Sequence, residues 1–310
     1  MVRPRAAILH AAIERLATYF ADRGSRAAIL ARRALGRSRP TDRALRDRLV
    51  REMRGETRID GSLGGRVVPT IWLAHQLMDL GHRGDQVGTI RVVGWVLNLQ
   101  QETGAYGEGC TPTAHDHHAC EHYLGGFFSP APQRERIAPV TLPDGTVYRA
   151  EGPARFAVSC LALRAVLRAG HENRKSVIRH LESVVDLQDS WKTWGGYFAP
   201  DVVTAALHAL ALAPPPYREV LPRAAAFVAE HQAADGTWPG TDLFQTLAAL
   251  SAAGTHESRI AMRRAMPALL SHQESDGTFG PVARDERALI GLQVMLLARR
   301  ELELRETAPV

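Results

Sequence analysis

A phrase that returns after forty-one residues constrains this chain more than any other feature. Residues 229–240 read AEHQAADGTWPG, and residues 271–280 say it again as SHQESDGTFG. In both, an amphipathic helix runs into His-Gln, and a two-residue spacer leads to an Asp-Gly turn. An aromatic follows, and then a new apolar helix. With that template in hand, residues 97–109 (LNLQQETGAYGEG) and 185–198 (VDLQDSWKTWGGYF) fit, and residues 56–65 (ETRIDGSLGG) fit without the Gln. The turn glycines fall at Gly61, Gly104, Gly195, Gly236 and Gly277, spaced 43, 91, 41 and 41 apart. The long interval has room for a sixth unit near Asp144-Gly145. A period of this length built from helix pairs signals a repeat architecture.

Each residue of the phrase has a structural use. Gly adopts the left-handed conformation that ends a helix, and Asp beside it bonds its own backbone. The Trp, Tyr or Phe fills the gap between neighbouring helix pairs, and the Gln amide binds free carbonyls at a helix end. Gln232, Trp238, Gln273 and Phe279 are therefore scaffold, and no chemistry is assigned to them.

Between the turns, two kinds of helix alternate. Residues 67–80, 156–169, 202–212, 243–253 and 288–299 are apolar nearly all round, as a helix buried on both sides must be. Residues 88–101, 174–188, 218–232 and 259–273 keep a polar face. Inner buried helices alternating with outer amphipathic ones predict an all-α fold, an (α/α)6 toroid, with residues 115–127 as the sixth inner helix. Residues 1–54 carry no repeat phrase and are expected as an N-terminal helical cap on a toroid spanning 55–310. Residues 129–154 hold Val140-Thr-Leu-Pro-Asp-Gly145-Thr-Val-Tyr148, alternating strands around Pro-Asp-Gly, and predict a β-hairpin flap inserted at the cavity mouth.

Composition excludes several classes. At 310 residues and 45% hydrophobic the chain can bury a large core. Its net charge is +5, but all of the 38 basic residues except Lys175 and Lys192 are Arg, interspersed with Asp and Glu along helices. That reads as solvated faces, and no nucleic-acid partner is expected. Cys110, Cys120 and Cys160 are too few and too irregular for a disulfide framework. Neither a signal-peptide pattern nor a run of ~20 apolar residues occurs, so a cytoplasmic protein is expected. The set Ile8, Ala12, Leu16, Tyr19 lies on one face of a basic amphipathic helix and leaves peripheral membrane contact as a minor expectation.

The phrase and its spacing resemble the terpenoid cyclase and protein prenyltransferase superfamily. Squalene-hopene cyclases carry such Gln-to-Trp repeats, and prenyltransferase β-subunits carry Gly-Gly-Phe relatives of them. The resemblance covers roughly residues 55–300. It implies an α/α barrel whose inner helices point their N-termini into an apolar cavity that holds isoprenoid chains. The cyclases' acid motif, Asp-x-Asp-Asp-Thr-Ala, has its nearest echo in Pro200-Asp201-Val202-Val203-Thr204-Ala205, where both Asp before Thr204 are Val. Asp201 sits one place off. Aromatics make up only 6% of the chain, and no Asp-Asp-x-x-Asp diphosphate motif occurs. These departures argue against polycyclisation.

One stretch does not belong to the scaffold. Cys110 to His122 holds four of the thirteen histidines and two of the three cysteines. On a helix His115, His118 and His122 share one face, and with Cys120 they have metal-ligand spacing that suits Zn²⁺. The resemblance points the same way, since prenyltransferase β-subunits hold a zinc with Asp, Cys and His at inner-helix starts. Without a metal, Asp116 or Glu121 is a candidate general acid or base, as are Asp201 and His208 on the inner helix 202–212. Asp201, Asp242 and Asp285 stand near inner-helix starts, where a carboxylate is an ordinary N-cap, and His75 and His208 suit satisfied core positions equally. The expectation for function is an enzyme acting on a hydrophobic, isoprenoid small molecule in a central cavity. Cyclisation, isomerisation or hydration by acid–base or metal-assisted chemistry fits best. A binding-only toroid and a zinc-dependent transferase or hydrolase are the rivals.

Overall fold

The computed structural model describes residues 3–99, 137–188, 191–195 and 200–307. It is an all-α toroid with one small hairpin. In chain order it contains α1 (Arg3–Ala21), α2 (Arg26–Ala34), α3 (Asp42–Gly55), α4 (Val67–Asp79) and α5 (Val87–Leu97). The hairpin β1 (Val140–Thr141) and β2 (Val147–Tyr148) comes next, then α6 (Glu151–Arg168), α7 (Lys175–Gln188) and α8 (Pro200–Leu210). The chain continues through α9 (Pro215–Arg218), α10 (Leu221–Glu230), α11 (Leu243–Ala253), α12 (His256–Ser271) and α13 (Arg284–Thr307).

Among the described residues, six helices form the inner ring. α2, α4, α6, α8, α11 and α13 pack one against the next, and α13 packs back on α2. Behind the seams sit α1, α3, α5, α7, α10 and α12. The two kinds of helix differ as burial on two sides or one requires. α6 is buried at every position from Ala154 to Leu167 except Arg164. α7 buries Val177, Leu181, Val184 and Leu187, one stripe at three- and four-residue spacing.

Sequence spacing places a sixth inner helix at residues 115–127. Residues 115–127 lie outside the described residues, and α2 fills the ring between α13 and α4. Among the described residues α2, from the N-terminal region, thus takes a place in the ring. Its Arg-rich sequence disguised this, because the buried arginines are individually matched. Arg32 pairs with Asp42 at 2.5 Å, and its Nη1 donates to the carbonyls of Phe20 (2.7 Å) in the last turn of α1 and Arg23 (2.9 Å) just past it. Nor is there a sixth repeat unit at Asp144-Gly145. That dipeptide is the tip of the hairpin, whose register pairs Val140 with Tyr148 and Thr141 with Val147.

The repeat phrase closes the toroid. Gln232 Nε2 donates to Gly236 O within its own turn (2.9 Å) and to Ala261 O in the following outer helix α12 (3.0 Å). Gln273 does the same with Gly277 O (3.1 Å) and Ala12 O in α1 (3.0 Å), so the last repeat is fastened to the first helix. The turn glycines rest on those same helices. A Cβ on Gly236 would lie 2.5 Å from Arg264 O, and one on Gly277 would lie 2.7 Å from Arg15 C. Both residues have φ near +88°, so Gly is required by conformation and by contact together. Trp238 is buried with Nε1 donating to Val228 O (2.8 Å), and Phe279 packs on Phe244 with ring centroids 5.0 Å apart.

Candidate functional site

The hairpin closes the ring at the end where α8, α11 and α13 begin. Its base is tied to the start of α6, where the Glu151 carboxylate accepts from Ile137 N and Ala138 N and from Arg155 Nε (2.6 Å). Buried Tyr148 donates to the Asp201 carbonyl (3.1 Å) and accepts from Gln245 Nε2. At the tip, Arg287 Nε holds Asp144 O (2.9 Å) while its Nη2 pairs with Asp242 (2.6 Å), the N-cap of α11. Gly145 has φ +87°, and a Cβ there would meet Val282 at 2.5 Å. These contacts fix Asp144 against the inside of the ring.

Asp144 faces a central cavity of about 490 Å³. Most of the wall is aliphatic, with Leu30, Leu142, Leu161, Leu289, Ile290 and Leu297 prominent. The polar groups come mostly from α2, α4, α6, α8 and α13. Arg26 pairs with Asp79 and Glu286, and Arg168 reaches Asp79 Oδ1 at 2.6 Å. Arg168 Nη1 also lies 3.0 Å from His75 Nδ1, and His75 Nε2 lies 3.1 Å from Leu161 O. That pairing assigns the His75 proton to Nε2, with Nδ1 accepting. His75 is thus a neutral buried wall residue, and burial first and then nearby arginines push its pKa well below the usual value.

Three groups stand apart from this network. Burial pushes the Asp144 carboxyl up from its ordinary range and Asp242 adds to the rise, while its bonds to Thr146 and the charge of Arg164 pull it back. Oδ1 accepts from Thr146 N at 2.9 Å. Arg164, the one residue of the middle of α6 that does not bury completely, lines the cavity with its Nε enclosed and unbonded. Burial pulls its pKa down to about 10 despite the attraction of Asp144. His208, on α8, lines the same space, and burial followed by Arg164, His75 and Arg168 keeps its ring neutral.

The site residues expected from sequence separate into three groups. His208 is in the cavity wall. Asp201 is not: its Oδ1 accepts from Val202 N (2.9 Å) in the first turn of α8, and burial pushes its carboxyl up. The neighbouring Val202 and Val203 are buried. The remaining candidates, Asp116 and Glu121 for acid–base work and His115, His118, Cys120 and His122 for a metal, lie outside the described residues. Among the described residues no three His, Cys, Asp or Glu are grouped to hold a metal ion. Asp285, expected as a cap, accepts instead from Tyr19 Oη and Ser25 Oγ, both at 2.6 Å, and fastens α13 to α1 and α2. His75 lines the cavity, as does Glu286.

Sequence reading missed Asp144 and Arg164 as site residues. Asp144 was hidden by a complete local explanation, the hairpin turn. Arg164 left a signal, because a lone Arg interrupts a helix that is otherwise apolar on every side.

No family model matches the chain, and no curated protein matches it. Among solved structures it is similar to a variant of the type II terpene cyclase MstE from Scytonema in complex with its substrate, geranylgeranyl dihydroxybenzoate. The TM-score is 0.55 at 12% identity, covering 98% of this chain and 100% of the other. A protein from Actinoplanes aligns with a TM-score of 0.46 at 17% identity, over 93% of this chain and 88% of the other. The fold is therefore that of a terpenoid cyclase. Among the described residues no helix is long and apolar enough to cross a membrane.

Proposed function

We propose that the chain is an enzyme that isomerises, cyclises or hydrates a hydrophobic, isoprenoid small molecule in the central cavity, with Asp144 as the acid. The observation that carries this reading is the position of Asp144: a carboxyl whose burial favours its protonated form, fixed on the hairpin tip and facing an aliphatic cavity. The geranylgeranyl dihydroxybenzoate in the MstE complex supports the choice of substrate class. In the proposed step the Asp144 carboxyl gives its proton to a substrate double bond and becomes a carboxylate. Arg164 moderates the charge left on Asp144. The resulting cation rearranges or closes a ring, and neutral His208 takes a proton from an adjacent carbon. Return of that proton to Asp144 leaves an isomer of unchanged mass. If water captures the cation instead, the product is heavier by one water and the water's own proton restores the acid.

The buried Val202 and Val203 in place of acidic residues favour a second reading, a toroid that binds without reacting. One experiment separates the two. All-trans prenyl alcohols and acids are incubated with the full chain, and products are resolved by gas chromatography with mass detection. An isomer or hydrate that disappears in Asp144→Asn supports the enzyme. Bound but unchanged ligand supports the carrier, and turnover that survives Asp144→Asn removes Asp144 from the mechanism. From its spacing alone, the segment His115 to His122 stands as a separate proposed Zn²⁺ site. Elemental analysis of the purified chain beside His118→Ala and His122→Ala decides it.

A further inference from the structure

We propose that the ligand of the central cavity carries an anionic group, a carboxylate or a phosphate, and that Arg164 is the residue that receives it. This rests on the reading that the cavity is the ligand site, and it adds the chemistry of one end of that ligand.

The charges around the cavity do not balance within the protein. Arg26 and Arg168 are matched by Asp79 and Glu286. Arg164 and Arg300 also line the cavity, and neither forms an ion pair with a described residue. Arg300 is exposed, so water can solvate it. Arg164 is half-buried, and its Nε is enclosed with no hydrogen-bond partner while its side chain lines the cavity. An enclosed donor left unpaired is destabilising, and an acceptor brought into the cavity would satisfy it.

Asp144 does not fill that role, since it makes no ion pair with Arg164 and burial favours its neutral form. The surroundings are arranged for a ligand's polar end instead. His208 faces the same space and makes no hydrogen bond with the described residues. On α13, Leu289, Ile290 and Leu297 offer hydrocarbon, beside Glu286, Gln293 and Arg300. A guanidinium at one side and an aliphatic wall at the other describe an amphiphile. A guanidinium fork binds carboxylate and phosphate oxygens two at a time. With the head on Arg164, the functionalised end of the substrate lies near Asp144 and its tail does not.

The test is a binding measurement by titration calorimetry with farnesoic acid, farnesyl phosphate and farnesol, which share one tail. Wild-type chain should bind the acid or the phosphate at least tenfold more tightly than the alcohol, as a charged hydrogen bond permits. Whichever anion binds more tightly identifies the head group. Arg164→Met should erase the preference while leaving farnesol affinity within about twofold, and Arg164→Lys should keep part of it. Because Arg164→Met removes a charge that no described residue pairs, its melting temperature should not fall. Equal affinity for acid, phosphate and alcohol in the wild type overturns the anion subsite but leaves the cavity reading standing. So does a preference that survives in Arg164→Met and is lost in Arg300→Met. No binding of any of the three counts against the cavity reading itself.

Discussion

The outer belt of the toroid and its central cavity follow opposite rules. In the belt, one phrase is used repeatedly, and the copies ending at Gly236 and Gly277 meet the same surroundings: Gln to the next outer helix, Gly on that helix's backbone, Asp bonded to its own turn. Gly61 shows this even where the Gln is missing, since a Cβ there would stand 2.2 Å from Arg91 O. In the cavity nothing repeats. Asp144 comes from a hairpin, Arg164 from the middle of α6 and His208 from α8, and each departs from the pattern of its own element. Repetition identifies what holds the ring together, and the exceptions identify what the ring was built to enclose.

Substitutions should divide along that line. The largest effect is expected at Asp144. If it is the acid, Asp144→Asn lowers turnover by roughly 10²–10⁴-fold while the melting temperature stays level or rises. A variant that unfolds would place Asp144 in the scaffold instead. In the belt, Gly236→Ala sets a methyl 2.5 Å from a backbone oxygen at a positive φ. It should cost roughly 2–4 kcal/mol in denaturant unfolding with little change in ligand affinity. Gln273→Ala removes the bonds that join the last repeat to α1 and should cost about 1–2 kcal/mol. Proteolysis of the N-terminal helices should rise if α1 is held chiefly by that seam, and stay flat if α1 packs independently.

The smallest expected effect concerns pH. The folded Asp144 pKa lies above the unfolded value, so its stabilising contribution is complete below the ordinary carboxylate range. It is lost as pH rises through the folded pKa. Melting curves of wild type and Asp144→Asn should therefore converge near pH 4 and separate toward neutrality, with the variant the more stable. Opposing this, His75, His180 and His208 are all depressed by burial, so they withdraw stability as pH falls below the ordinary histidine value. That loss is common to both proteins and cancels in the difference. A gap that is constant with pH would mean that Asp144 titrates normally.

Much of the fold was legible because its determinants are local and periodic. The 41-residue spacing, the Asp-Gly turns and the alternation of all-round apolar with one-sided helices are read from neighbours along the chain, and they specify an all-α toroid. The pairing of Val140 with Tyr148 is equally local, a property of Pro-Asp-Gly between alternating residues. What sequence did not determine is which segment closes the ring. α2 carries Arg26 and Arg32, which look like surface residues until Asp79, Glu286 and Asp42 are brought to them from elsewhere. The cavity was decided by tertiary structure for the same reason. Whether Asp144 is a turn residue or a protonated acid, and whether Arg164 is paired or waiting for a ligand, depends on burial and on charges dozens of residues away. Desolvation and Coulomb energy are set by three-dimensional neighbours, and only the closed ring supplies them.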